Sequence, residues 1–486
     1  MRYYFYLIIL SSTVLFVTTG CEKKAKQLVK ISINFPKAAG DTIVLGRTNL
    51  ISLAAVELAS VRLDSAGKGV VEVELKESVF GYISNGKNLS ADILISPGDD
   101  FQIMSAEPGG KLQFRFEGNG AAINQAYYEQ QQLSSAFNKW NGTYAFQLEA
   151  DEFLKAKDSL QRSYNRLLEK IKTNPEVTAE KLDLLKRYAD MHLIFYQFNF
   201  ALGKDSAEIP FVVREVVQKF PVDTIALKAG LSDYGYIGNF YYSQKISNVI
   251  YEENEQVDGD TLEAIYTTLV EDKIKASRYP KPVEDFLRVK SVSVQIGLGG
   301  LTPNLHVLAK TLKKETPSRD YQSVMQEDIA RWEKIGPGKP APDFSGMTPD
   351  GKQLALSDLR GKVVYVDIWA TWCGPCVEAF PDAKKVQAAF KGNDRIAFLY
   401  VSIDRDTLAW KKMVAAGKVP AGLHMLNGTD KPESIWNLYH VWGVPRYLLI
   451  DERGRMVATH AAHPSTGNAP KELRKVLATY ASKTGL

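Results

Sequence analysis

Cysteine is scarce in this chain: Cys21, Cys373 and Cys376 are all that 486 residues contain. So few exclude a disulfide-built scaffold, and each one needs its own explanation. A strong charge of either sign is also missing. Sixty Lys and Arg against 56 Asp and Glu leave a net charge of +4. No dense basic block carries interleaved aromatics, which argues against nucleic acid as a partner. After residue 20 no apolar run approaches the ~20 residues that a membrane-spanning helix needs. Otherwise the composition is that of a globular protein, 45% hydrophobic and 24% charged, and the length suits roughly three domains.

The one long apolar stretch stands at the N-terminus. Arg2 precedes a run from Tyr3 to Val17 that only Ser11, Ser12 and Thr13 interrupt. It is too short to span a bilayer and reads as a signal peptide over residues 1–20. The ending Thr18-Thr19-Gly20-Cys21 resembles a bacterial lipobox, with Thr18 where leucine is usual. That resemblance implies lipid attachment at Cys21 and a periplasm-facing place in the cell envelope. A plain N-terminal membrane anchor gives the same compartment. Residues 21–27 are polar and suit a tether.

Three patterns follow. Over residues 28–120 apolar residues alternate with polar ones, as in Val29, Ile31, Ile33 and Phe35, in Val71, Val73 and Leu75, and in Leu112, Phe114 and Phe116. This period predicts a small antiparallel β domain of sandwich type. Over residues 121–335 the spacing lengthens. Leu160, Tyr164, Leu167 and Ile171 share one helix face, and a second helix is predicted from Ala179 to about Leu202 with Gly203 as its stop. Aromatics at Phe195, Tyr196, Phe198 and Phe200 and at Tyr234, Tyr236, Phe240, Tyr241 and Tyr242 read as packing between helices, as do His192 and His306 as structural residues. Residues 336–343, Gly-Pro-Gly-Lys-Pro-Ala-Pro-Asp, read as a linker because proline removes backbone donors. Over residues 344–486 the chain alternates β and α. Strands are predicted at Val363–Trp369, Ile396–Ile403, Tyr447–Asp451 and Met456–His460, with a helix after the first and a last one from Pro470 to Lys483.

Trp372-Cys373-Gly374-Pro375-Cys376 carries the chemistry. It follows a buried strand directly, where a helix should begin. Unpaired backbone N–H groups and the positive end of the helix dipole stabilise a thiolate there. Thiolate is the attacking species in thiol–disulfide exchange. On this reading Cys373 attacks a substrate disulfide and Cys376, one turn further in, resolves the mixed disulfide.

These residues resemble the thioredoxin superfamily, and more closely its exported TlpA/ResA-like branch. The likeness rests on Asp358-Leu359-Arg360-Gly361-Lys362, on Val366 through Cys376, and on Gly443-Val444-Pro445, in that order. It implies a C-terminal thioredoxin fold within a multidomain chain. It assigns Cys373 as nucleophile, Cys376 as resolving cysteine and Asp367 as a buried carboxylate whose raised pKa lets it move the proton of Cys376. It makes Pro445 a cis-proline that presents Val444 to substrate, with Trp372 shielding the pair. The expected partners are thiols or disulfides of exported proteins and a membrane thiol-relay electron donor; no cofactor and no metal are expected. Two positions depart from the pattern. Tyr400 stands where a lysine often accompanies the buried acid, and Arg446 follows Pro445 where threonine is common, so Arg446 is expected to alter substrate preference or charge at the docking groove.

Other readings remain beside this one. Cys373, Cys376, His460 and His463 have the chemistry of a zinc site, although both histidines read as surface loop residues. The two cysteines could form a purely structural disulfide. A peroxidase lacks support, since Ala370 lies three residues before Cys373. The residues before 335 could be a lipid-anchored binding module that recruits a partner, with an accessory redox domain, or a spacer.

Overall fold

The computed structural model describes residues 26–107, 111–202, 204–205, 207–257, 259–429 and 431–481. The predicted signal peptide, Cys21 and the helix stop at Gly203 lie outside them. By their internal contacts the described residues form two compact units. One takes in the chain up to Arg47, Glu57–Ser135 and Arg162–Lys186; the other takes in Thr48–Val56, Ala136–Gln161 and the chain from Arg187 onward.

Eight strands open the chain: β1 (Gln27–Asn34), β2 (Thr42–Thr48), β3 (Ala55–Arg62), β4 (Lys68–Leu75), β5 (Val79–Ser84), β6 (Ser90–Ile95), β7 (Asp100–Ala106) and β8 (Gln113–Asn119). They make two four-stranded sheets, in the orders β4-β1-β7-β8 and β3-β2-β5-β6. The alternation read from the sequence does set the faces. Val29, Ile31 and Ile33 of one sheet and Ile43, Leu45 and Ile83 of the other enter one apolar cluster. The expected purely antiparallel pairing is corrected at one place, because β1 and β7 run parallel, with Ile31 opposite Phe101. Period two fixes which face a residue takes and leaves strand direction open.

Helices follow: α1 (Ala121–Asn138), then a short β9/β10 pair (Lys139–Trp140, Thr143–Tyr144), α2 (Ala150–Lys172), α3 (Ala179–Ala201), α4 (Phe211–Val217), α5 (Thr224–Lys228), α6 (Ser232–Phe240), α7 (Ser247–Glu253), α8 (Gly259–Ala276), α9 (Lys281–Gly299), α10 (Pro303–Glu315) and α11 (Arg319–Ile335). The aromatic clusters are packing except at Tyr236, which is 43% exposed. Tyr196, Phe198, Phe200, Tyr234, Tyr241 and Tyr242 are all buried, and Phe153 stacks on Phe200 with centroids 4.1 Å apart. His192 is held 2.7 Å from Asp233.

The last part is one seven-stranded sheet in the order β12-β11-β15-β14-β13-β16-β17. Its strands are β11 (Ser345–Met347), β12 (Gln353–Ala355), β13 (Val363–Trp369), β14 (Ile396–Ser402), β15 (Leu423–Leu426), β16 (Arg446–Ile450) and β17 (Met456–Ala458), with α12 (Gly374–Ala388), α13 (Thr407–Ala415), α14 (Ile435–Leu438) and α15 (Ala469–Ala481) around them. β13 lies parallel to β14 and antiparallel to β16, and every one of its residues is buried. The proline-rich segment before this sheet is not a free linker. Gly338 N–H donates to the Met456 carbonyl at 2.7 Å, Met456 N–H to the Lys339 carbonyl at 2.8 Å, and Pro340 bridges to Arg455. Prolines alternate there with residues that still offer donors and acceptors, so a strand end can bind it.

Candidate redox site

β13 carries the chain from the sheet into the N-terminus of α12. Cys373 is the N-cap, extended at φ −86° and ψ 96°, and Pro375 sits in the first turn. The fixed φ of proline suits that place, and its missing N–H costs nothing there. Cys373 and Cys376 form a disulfide with their Cα atoms 5.3 Å apart. The Cys376 N–H donates to Cys373 Sγ at 3.2 Å. A first-turn amide thus already points at the sulfur on which negative charge would sit after reduction. The residues Trp372, Gly374 and Pro375 are exposed around the pair, whereas both cysteines are largely covered.

The cover comes from the loop before β16. The Val444–Pro445 peptide bond is cis, and the Val444 carbonyl oxygen lies 3.5 Å from Cys373 Sγ. Cys373 and Val444 are therefore brought together, with Trp372 and Pro445 as their chain neighbours.

On β13, Asp367 is 2% exposed. Its Oδ1 has no hydrogen-bond partner among the described residues. Burial disfavours the charged form and pushes its carboxyl up to about 8. Tyr400 and Tyr447 flank it in register on β14 and β16. Neither supplies the cation that a lysine would, so nothing offsets the desolvation, and burial raises both phenols as well.

Two further expectations are corrected. Arg446 does not face the docking groove. It is 5% exposed, its Nε donates to the Thr459 carbonyl at 2.7 Å, and its guanidinium lies 5.4 Å from the Trp332 ring. A residue on an inner strand of a covered sheet has no open side to point to. Burial lowers its pKa to about 9. His460 and His463 are half-buried rather than surface residues. His460 packs on Trp332 at 5.4 Å and His463 on Tyr447 at 5.0 Å. No group of three or more potential metal-holding side chains occurs among the described residues.

One residue of the site escaped the sequence reading. Asp404, 3% exposed just past β14, accepts from Thr371 N–H at 2.9 Å, Thr371 Oγ1 at 2.7 Å and Ser402 Oγ at 2.7 Å. It ties down the turn that delivers Cys373 to α12. The available signal was an acid at the end of a buried parallel strand, where site residues of such sheets gather.

Desolvation of Asp367 makes stability depend on pH. Between the unfolded value near 4 and the folded value of about 8, the folded chain holds a proton that the unfolded chain has lost, so stability falls as pH rises through that window. Asp367→Asn removes the effect. Thermal melts should show the variant close to the parent at pH 4 and several degrees more stable at pH 9, a gap that grows across the window.

The comparisons with known proteins concern this part of the chain. The Redoxin family profile matches residues 336–477. The thiol-disulfide oxidoreductase ResA of Bacillus anthracis is 32% identical over 135 residues, which is 28% of this chain and 75% of that protein. The thioredoxin-like protein YneN of Bacillus subtilis is 31% identical over 140 residues, 29% of this chain and 78% of that protein. A solved thioredoxin domain of a thiol-disulfide oxidoreductase from Bacteroides vulgatus is 28% identical, covers 29% of this chain and 97% of that one, and has a TM-score of 0.27. With a cysteine pair at a helix start and ResA matched at 32% identity over 75% of its length, the chain belongs to the thioredoxin-like thiol–disulfide oxidoreductases of the ResA type.

Proposed function

We propose that the chain reduces disulfides of exported proteins by dithiol exchange at Cys373 and Cys376. The observation that carries this reading is the Cys373 sulfur at the N-terminus of α12, set against the Val444 carbonyl.

In the reduced form the Cys373 thiolate attacks one sulfur of the substrate disulfide. A bond forms between Cys373 Sγ and that sulfur, the substrate S–S bond breaks, and the departing sulfur takes a proton. Cys376 then gives its proton to the Asp367 carboxylate and attacks Cys373 Sγ. The bond between Cys373 Sγ and the substrate sulfur breaks, that sulfur leaves as a thiolate and takes a proton, and the disulfide seen in the structure is restored. Two electrons pass to the substrate, and a membrane thiol relay of the dithiol class returns them. With Asp367 titrating at about 8, its base form grows as pH rises through that value, and the resolving step should quicken with it.

Export and lipid attachment at Cys21 belong to the same proposal. They rest on the apolar run from Tyr3 to Val17 and the Thr18–Cys21 ending. Among the described residues no helix is long and apolar enough to cross a membrane.

Two experiments test these parts. Cys376→Ser should trap substrates as adducts on Cys373 that dithiothreitol releases, while Cys373→Ser should trap none; equal yields from both would contradict the assigned roles. Cys21→Ala should move the protein from the membrane to the soluble fraction after cell lysis and remove the lipid mass from its N-terminal peptide.

A further inference from the structure

The redox centre has a neighbour that the thioredoxin-like sheet does not supply. The C-terminal end of α9, from the helical region, reads Gly297-Leu298-Gly299 before Gly300. A Cβ added at Gly297 would stand 2.7 Å from the Cδ2 and Cε3 atoms of Trp442, closer than packed carbons approach. The indole thus lies flat on the helix backbone, and only glycine leaves room for it. At Gly300 an added Cβ would meet His460 Nδ1 at 2.7 Å. Leu298 thus stands between two glycines whose missing side chains leave room for Trp442 and His460. One turn of contact deeper, Trp332 of α11 packs against His440, His460 and Arg446.

The Leu298 side chain is 60% exposed. Trp442, two residues before Val444, is 47% exposed, and Trp372, next to Cys373, is 67% exposed. Trp372 and Trp442 are thus exposed within two residues of Cys373 and Val444, and Leu298 is exposed beside the glycine that seats Trp442. Isolated apolar residues on a surface need no explanation, but a group beside a reactive centre does.

We propose that Leu298 and Trp442 form an apolar shelf which continues the redox site onto the helical region and selects extended polypeptide segments with large apolar side chains beside the disulfide. This rests on the oxidoreductase reading above and names its substrate class. The Val444 carbonyl end of the loop lies at the sulfur, so a segment engaged there runs along the same loop toward Trp442 and α9. Glutathione, small and anionic, has nothing to lay on such a shelf.

The test uses the full chain with dithiothreitol as reductant and three probes. One is a peptide with an internal disulfide flanked by Leu and Phe, one is the same peptide with Ser and Gln flanks, and one is hydroxyethyl disulfide. The parent should favour the apolar peptide by about tenfold in kcat/KM, the scale of burying one large apolar side chain. Leu298→Asp, at an exposed site that leaves the fold intact, should abolish that preference and leave hydroxyethyl disulfide unchanged. Leu298→Met should restore it, and Gly297→Ala, by displacing the Trp442 ring, should weaken it. An unchanged preference in Leu298→Asp overturns the shelf. An equal loss on all three probes also overturns it, since the residue would then support the centre rather than the substrate. Loss of self-association, measured by sedimentation, with the preference intact would assign the surface to a second copy instead. If the parent reduces none of the three, the oxidoreductase reading itself fails.

Discussion

A strand with water on neither face holds the centre together. β13 is buried at every position, between β14 and β16, so its end cannot shift without disturbing a close-packed core. That rigidity fixes where α12 starts, and the start of α12 fixes where the amides and the Cys373 sulfur meet. The same burial that makes the strand stiff makes Asp367 costly to ionise. The geometry of the disulfide and the proton affinity of Asp367 are thus two results of one constraint. Asp404 extends the constraint to the turn, holding Thr371 through both its amide and its hydroxyl.

The helical region takes part in this arrangement. α9 gives up side-chain volume at Gly297 to seat Trp442, and α11 places Trp332 under Arg446, the residue that follows cis-Pro445. A buried guanidinium without a carboxylate is tolerated there because a carbonyl accepts from its Nε and an aromatic face lies against it. The loop that covers Cys373 is therefore braced by residues more than a hundred positions earlier in the chain.

Much of this was legible in the sequence where one physical signal dominated. A continuous apolar run interrupted by a single acid marked β13 at its observed bounds, and the Cys-Gly-Pro-Cys spacing marked the start of α12. The alternation of Val29, Ile31 and Ile33 marked a face of β1 but not its parallel neighbour β7, because pairing depends on residues seventy positions away. β11, β12 and β15 are too short to show a period. Arg446 and His460 were misplaced because composition speaks for the average setting of a charged residue, whereas theirs is set by Trp332. Nothing near Gly297 in sequence announces the indole that rests on it.

The most direct test of the account is the reduction potential of the Cys373–Cys376 pair in the full chain, read by counting free thiols by mass spectrometry across a dithiothreitol redox series. The account predicts one two-electron transition near the thioredoxin value, about −270 mV. A value near −120 mV, that of a strong oxidant, would contradict the reducing direction, and a pair that never cycles would contradict the redox centre altogether.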